Sequence, residues 1–416
     1  MVMRIVAAAT AVLVAAGCQS ERDTGRGGES SQTMVQKLLS ERSSDLEKGA
    51  VARYLKPVGR DALDVEKTIA RGAIKAKLGT IEVVIQQGFV HPRKPELDRV
   101  RVDFTYLHKP LPDDNVFRFR IIYKVRRQGA EWRISDAEID ARDFPIVPPW
   151  ATGPIETARS PHFLALFRPG LRDIEKILKM AERARKELLP KVTLPLDDVH
   201  LMVLARDGQE FGEFTGSPGA GAVAIAYRQY NPRGGLTDHP ENREMIVNMG
   251  EVFSLGLVPH EHQEVMPRQV FQHELGHLAL SRYDRFTTPS WVKEGGAMFL
   301  SGERRLVAWK AGTEEGVFNR MEFAEFSGDG SLDGALYPYV NAAVSYLTET
   351  YGTRRFWKFY RGFTNFRPGG AMRGAAIRQV RADRTRRLLG IHYDISPEEL
   401  DRRTRAYIKR AVAQAG

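Results

Sequence analysis

His273, Glu274 and His277, in "FQHELGHLAL", combine two imidazoles four positions apart with a carboxylate beside the first. On an α-helix, positions i and i+4 share one face a turn apart, so both imidazoles can point at one metal ion. Glu274 is rotated by about a hundred degrees from His273, which brings it near that ion without making it a good ligand. It is placed to handle a proton. Zinc held by three protein ligands lowers the pKa of a bound water to about 7, and a neighbouring carboxylate can take that water's proton as it attacks a carbonyl. At the histidine and glutamate frequencies of this chain, the pattern arises by accident with a probability on the order of one in a hundred.

The flanking residues must supply a helix and a third ligand. "PRQVFQHELGHLALSRY" begins with Pro267, which a first turn tolerates, and puts Val270, Leu278 and Leu280 at core-facing positions. In "TTPSWVKEGGAMFLSG", Thr288 is expected to cap and Pro289 to open a second helix carrying Glu294. The 16 residues between His277 and Glu294 give enough chain for a turn and a crossing helix.

HExxH at His273 to His277, followed by Pro289, Trp291, Glu294, Gly295 and Ala297 as P-x-W-x-x-E-G-x-A, resembles the gluzincin metallopeptidases, most closely the peptidase MA-like group. The resemblance covers roughly residues 160 to 416. It implies zinc held by His273, His277 and Glu294, with Glu274 as general base for zinc-bound water. The family's next helix is matched by "YPYVNAAVSYLTETYG", where a phenol would donate to the tetrahedral oxyanion. Tyr337 fits that register best, with Tyr339 the alternative. The family's edge strand, which pairs with an extended substrate, would be "GAGAVAIAYR". Met298 stands where some gluzincins carry an acid that orients a ligand, so the partner of His273 stays open. Asp284 is read as a surface carboxylate at a helix end, and His260, Glu261 and His262 as part of a Pro-flanked loop.

The rest of the chain organises around this site. Arg4, the apolar run from Ile5 to Ala16 and the small residues after it read as a targeting segment, residues 1–17. "LVAAGC" resembles the lipobox of bacterial lipoproteins, with Ala15 where that family prefers Leu, and implies acylation of Cys18. An ordinary secretory signal with a secreted product is the alternative; both place the mature protein outside the cytoplasm. A single cysteine allows no intrachain disulfide. Residues 18–33 read as a polar tether. Over 34–144, a helix precedes the alternating segments "TIEVVIQQGFV", "RVRVDFTYLH", "VFRFRIIYKVRR" and "EWRISDAEID", with Gly129 in a hairpin turn. That pattern resembles the nuclear transport factor 2-like fold, its interior read as core. Pro145, Pro148, Pro149 and Pro154 mark residues 145–160 as a linker, and 161–416 form the gluzincin-like domain.

An apolar content of 42% excludes a disordered chain, and the net charge of +10 permits anionic partners without selecting one. The arginine-rich C-terminal stretch reads as solvated helix, with Ser396, Pro397 and Glu399 starting a final one. The expected fold class is α+β: an NTF2-like domain, then a thermolysin-like zincin domain with a mixed sheet, an active-site helix and C-terminal helices. The expected function is zinc-dependent peptide hydrolysis outside the cytoplasm. The alternative is a catalytically silent binding or envelope-maintenance lipoprotein that retains the zincin fold. The expected partners are a peptide or protein substrate and the membrane through Cys18, with no nucleic acid.

Overall fold

The computed structural model describes residues 31–90, 96–140, 147–192, 196–216, 223–227, 243–257, 266–281, 283–285, 287–317, 336–365 and 375–415. Cys18 and the expected targeting segment, and His260, Glu261 and His262, lie outside these residues. The fold is α+β, and among the described residues no helix is long and apolar enough to cross a membrane.

Three helices, α1 (Ser31–Glu47), α2 (Val51–Leu55) and α3 (Leu63–Lys75), precede an antiparallel meander of β1 (Leu78–Val90), β2 (Glu96–His108), β3 (Phe117–Gln128) and β4 (Glu131–Ile139), in that order across the sheet. The strands form because alternate residues are apolar: along β3, Phe117, Phe119, Ile121, Tyr123 and Val125 are all buried. Gly129 turns the β3–β4 hairpin at φ +64°. The interior of this unit is packed core, with Phe104, Tyr106 and Phe119 around one indole. Helix α1 takes in the last residues of the expected tether. Helix α3 was not anticipated from the sequence.

That indole belongs to Trp150, on α4 (Pro149–Thr152), within the stretch expected to be a linker. It is fully buried. A Cβ on Gly72 of α3 would lie 1.9 Å from the Trp150 carbonyl oxygen, so only glycine admits the contact. The proline-rich joint is thus seated in the N-terminal core.

The second unit holds β5 (Glu156–Arg159), β6 (Phe163–Phe167), α5 (Ile174–Leu188), β7 (His200–Ala205), α6 (Gly208–Thr215), β8 (Ala224–Tyr227) and β9 (Glu244–Asn248). Its sheet runs β5-β6-β7-β9-β8. The central three strands are parallel, and β5 and β8 are antiparallel at the edges. Helices follow: α7 (Met249–Leu257), α8 (Pro267–Leu280), α9 (Ser290–Ser301), α10 (Leu306–Glu314), α11 (Leu336–Tyr351), α12 (Thr353–Gly362), α13 (Ala375–Tyr393) and α14 (Pro397–Ala415). Ser396 Oγ accepts from the Glu399 N–H at 3.2 Å and starts α14 as expected.

The central strands are apolar on both sides because both faces are covered. Phe163, Ala165, Phe167, Met202, Leu204, Met245 and Val247 face the core built on α5 and α8. Leu164, Leu166, Leu201, Val203 and Ile246 join the core of the N-terminal unit instead. A polar clasp closes the same seam. Arg243 pairs with Asp114 at 2.7 Å and Asp197 at 2.9 Å, while Asn115 exchanges two hydrogen bonds with the Arg243 backbone.

Because one core spans both units, Trp150→Ala is expected to cost about 3–5 kcal/mol and to shift a single unfolding transition, followed by circular dichroism in denaturant. Two separated transitions would contradict the shared core. Near the same seam, burial pushes the Glu244 carboxyl up to about 8 from 4.5. A carboxyl raised on folding binds its proton more tightly in the native state, so stability falls as pH rises between those values. Glu244→Gln should remove that slope, and parallel stability–pH curves for variant and wild type would contradict it.

Candidate metal centre

Helix α8 starts at Pro267, where Gln269 Oε1 accepts from the Met266 N–H at 2.8 Å. From Val270 to Leu280 every side chain except His273 is buried, so the polar ones need partners. Gln272 donates to Glu187 of α5 at 3.0 Å, which fixes the rotation of the helix. Helix α9 crosses α8 where side chains are smallest: a Cβ on Gly276 would lie 3.3 Å from the Ala297 Cα. On α9, a Cβ on Gly295 would meet Val344 of α11 at 2.3 Å. The Glu-Gly-x-Ala run therefore lets α9 approach a helix on each side.

This crossing brings His273, His277 and Glu294 together, as the sequence predicts. His273 Nε2 lies 3.1 Å from His277 Nε2, and each lies 3.3 Å from Glu294 Oε2. A tetrahedral ion with bonds of about 2.0–2.1 Å has donor–donor edges of about 3.3 Å. The triangle thus matches one tetrahedral face, and the three residues could hold a metal ion.

The partner of His273 is a residue the sequence did not reveal. Glu303 Oε1 accepts from His273 Nδ1 at 2.8 Å, which turns Nε2 toward Glu294 and His277. Gly302 ends α9 at φ +72°, and the Glu303 N–H then bonds back to the Met298 carbonyl at 3.1 Å. This Schellman-type turn returns the chain onto the ligand helix. A carboxylate reaches His273 although position 298 itself is apolar. Ser301 Oγ and the Arg305 guanidinium also bond Glu303, whose side chain is 1% exposed. The available signal was the glycine followed by glutamate in "LSGER" at the end of α9.

The local field favours a cation. Burial alone would lower His273, yet the charge of Glu303 and hydrogen bonds to Glu294 and Glu303 hold its imidazole well above the usual range. Burial would raise Glu294, but the charge of His277 and bonds from both imidazoles hold it well below the usual carboxylate range. Burial also opposes ionisation of Glu303, which His273 and Arg305 nevertheless bring down to about 2. Glu274 is buried on the same helix and contributes negative charge at His273.

The two tyrosine candidates separate. The charge of Glu294, then burial, then the charge of Glu274 raise the half-buried Tyr337 phenol, which therefore lies within electrostatic reach of the site. Tyr339 is 1% exposed and bonds Asp401 of α14 through its hydroxyl. Two expectations are corrected. Asp284 is fully buried, not a surface carboxylate, and accepts from the Tyr360 hydroxyl of α12, anchoring the α8–α9 turn. Thr288 does not cap α9: its Oγ accepts from the Arg285 N–H at 3.0 Å within that turn, and Pro289 takes the capping position. Strand β8, within the expected edge segment, does lie at the sheet edge and packs on α8. No protein-family model matches the chain, and no curated protein matches it.

His277→Ala and Glu294→Ala are each expected to weaken metal-ion binding by more than the ~10–100-fold that outer partners are worth, measured by chelator competition with added divalent ions. Unchanged affinity in either variant would exclude that side chain as a ligand.

Proposed function

We propose that this chain is a zinc-dependent peptidase of gluzincin type that hydrolyses peptide bonds outside the cytoplasm. The N-terminal unit is proposed as an NTF2-like domain, the second as a thermolysin-like zincin domain, and Cys18 as the site of a lipid anchor. The observation that carries the reading is the triangle of His273, His277 and Glu294 donors with Glu274 on the same helix as the two imidazoles. Two imidazoles and one carboxylate suit zinc in a site that keeps a position open for substrate or water. A zinc ion held there would acidify water and polarise a peptide carbonyl.

The protein's own groups supply the remaining steps. Glu274 takes a proton from the attacking water and passes it to the leaving amine. Tyr337 donates its hydroxyl to the oxyanion that develops on the carbonyl, and the neighbouring carboxylates keep that phenol protonated. Glu303 fixes the tautomer of His273. Strand β8 has β9 on one side and, among the described residues, no strand on the other, so it offers backbone groups to an extended peptide beside α8.

Glu274→Gln should retain zinc while lowering peptide cleavage by about 10²–10⁴, followed by mass spectrometry on a peptide library. A variant that cuts at the wild-type rate would sink the role of Glu274. Tyr337→Phe should lower kcat by about 10²–10³ with KM little changed, whereas Tyr339→Phe should leave kcat alone because that hydroxyl serves Asp401.

A further inference from the structure

We propose that Arg305 is a positioning residue that locks the orientation of His273 through Glu303 and ties that lock to Tyr337. The inference rests on the metallopeptidase reading of the site and assigns a role to a residue that neither ligates nor transfers protons.

Glu303 stands between two groups. Its Oε1 faces His273 Nδ1 at 2.8 Å and also accepts from Ser301 Oγ at 2.9 Å. Its Oε2 accepts from Arg305 Nη2 at 2.6 Å and Nε at 3.1 Å. A carboxylate with a 1% exposed side chain loses its hydration, so its orientation and charge depend on these protein donors. Arg305 gives two donors to the same oxygen and leaves the other for His273 and Ser301. Lysine, a point charge on a flexible stem, cannot reproduce that fork.

Arg305 is itself held from α11. Its Cζ lies 5.8 Å from the centroid of the Tyr337 ring, within cation–π range. Asn341, four residues after Tyr337 and so on the same helix face, grips the backbone on both sides of Arg304. Its Nδ2 donates to the Glu303 carbonyl at 3.1 Å, and its Oδ1 accepts from the Arg305 N–H at 3.4 Å. Trp309 of α10 donates to the carbonyl of Pro338, next to Tyr337, at 2.7 Å. One segment, 303–305, therefore touches the ligand helix through Glu303 and the tyrosine helix through Arg305.

The test is a double-mutant cycle on zinc affinity in the full chain, by competition with a chromogenic chelator, with circular dichroism to confirm folding. Arg305→Met is expected to weaken zinc by about 10-fold or more, the scale of groups that orient a ligand. Glu303→Gln should weaken it at least as much. The Glu303→Gln/Arg305→Met pair should bind no worse than Glu303→Gln alone, because Arg305 acts through Glu303. A merely structural role for Arg305 would give additive losses instead. Should Arg305→Met fail to fold, Arg305→Lys carries the test and is expected to lose several-fold in affinity although the charge is kept. Zinc affinity equal to wild type in the folded Arg305 variant, or additive losses in the pair, overturns this proposal alone. A wild-type chain that binds no zinc overturns the metal reading and, with it, the proposal.

Discussion

Helices α8 and α9 meet at Gly276 and Ala297, where neither carries more than a methyl group, and the cluster of His273, His277 and Glu294 depends on that contact. Two imidazoles on one helix and a carboxylate on another can share an ion only if the backbones come this close. Larger residues at the crossing would separate the donors by more than a tetrahedral edge of about 3.3 Å. Gly295 extends the demand to α11, so the three helices that carry Glu274, Glu294 and Tyr337 are packed as one block. Asp284 and Tyr360 hold the turn between the first two from behind. Chemistry and close packing are met by the same short residues.

That block needs a rigid base, and the five-stranded sheet provides it from one side only. The other face of the sheet is covered by the N-terminal unit, whose core runs without a break into Leu164, Leu201 and Ile246. Trp150 and the Arg243 clasp close the seam. Arg243 immediately precedes β9, the neighbour of the edge strand β8. The N-terminal unit therefore supports the strands nearest the proposed cleft.

Much of this was legible in the sequence because it lies in local periodicity. His273, His277 and Glu294 were readable from spacing, since a helix fixes which residues share a face and a Pro-opened helix must follow. The strands were readable from alternation and apolar runs. What the sequence hid was set by turns and tertiary contact. Glu303 reaches His273 only because Gly302 adopts a left-handed conformation and reverses the chain. Asp284 looked like an ordinary helix-end acid, and its burial depends on Tyr360, 76 residues away. Tyr337 and Tyr339 differ by two positions, so helix geometry turns one toward Glu294 and the other toward Asp401. The central strands of the second sheet are uninterrupted apolar runs, but nothing local says that the N-terminal unit covers one of its faces.

His273, His277 and Glu294 are proposed to form a zinc site. The most direct measurement is metal analysis of the wild-type chain purified without added metal or chelator, with X-ray absorption at the zinc edge. The expected result is one zinc per chain in a nitrogen and oxygen environment with no sulfur. A chain that holds no zinc even after it is supplied, or zinc bound through sulfur, would contradict it.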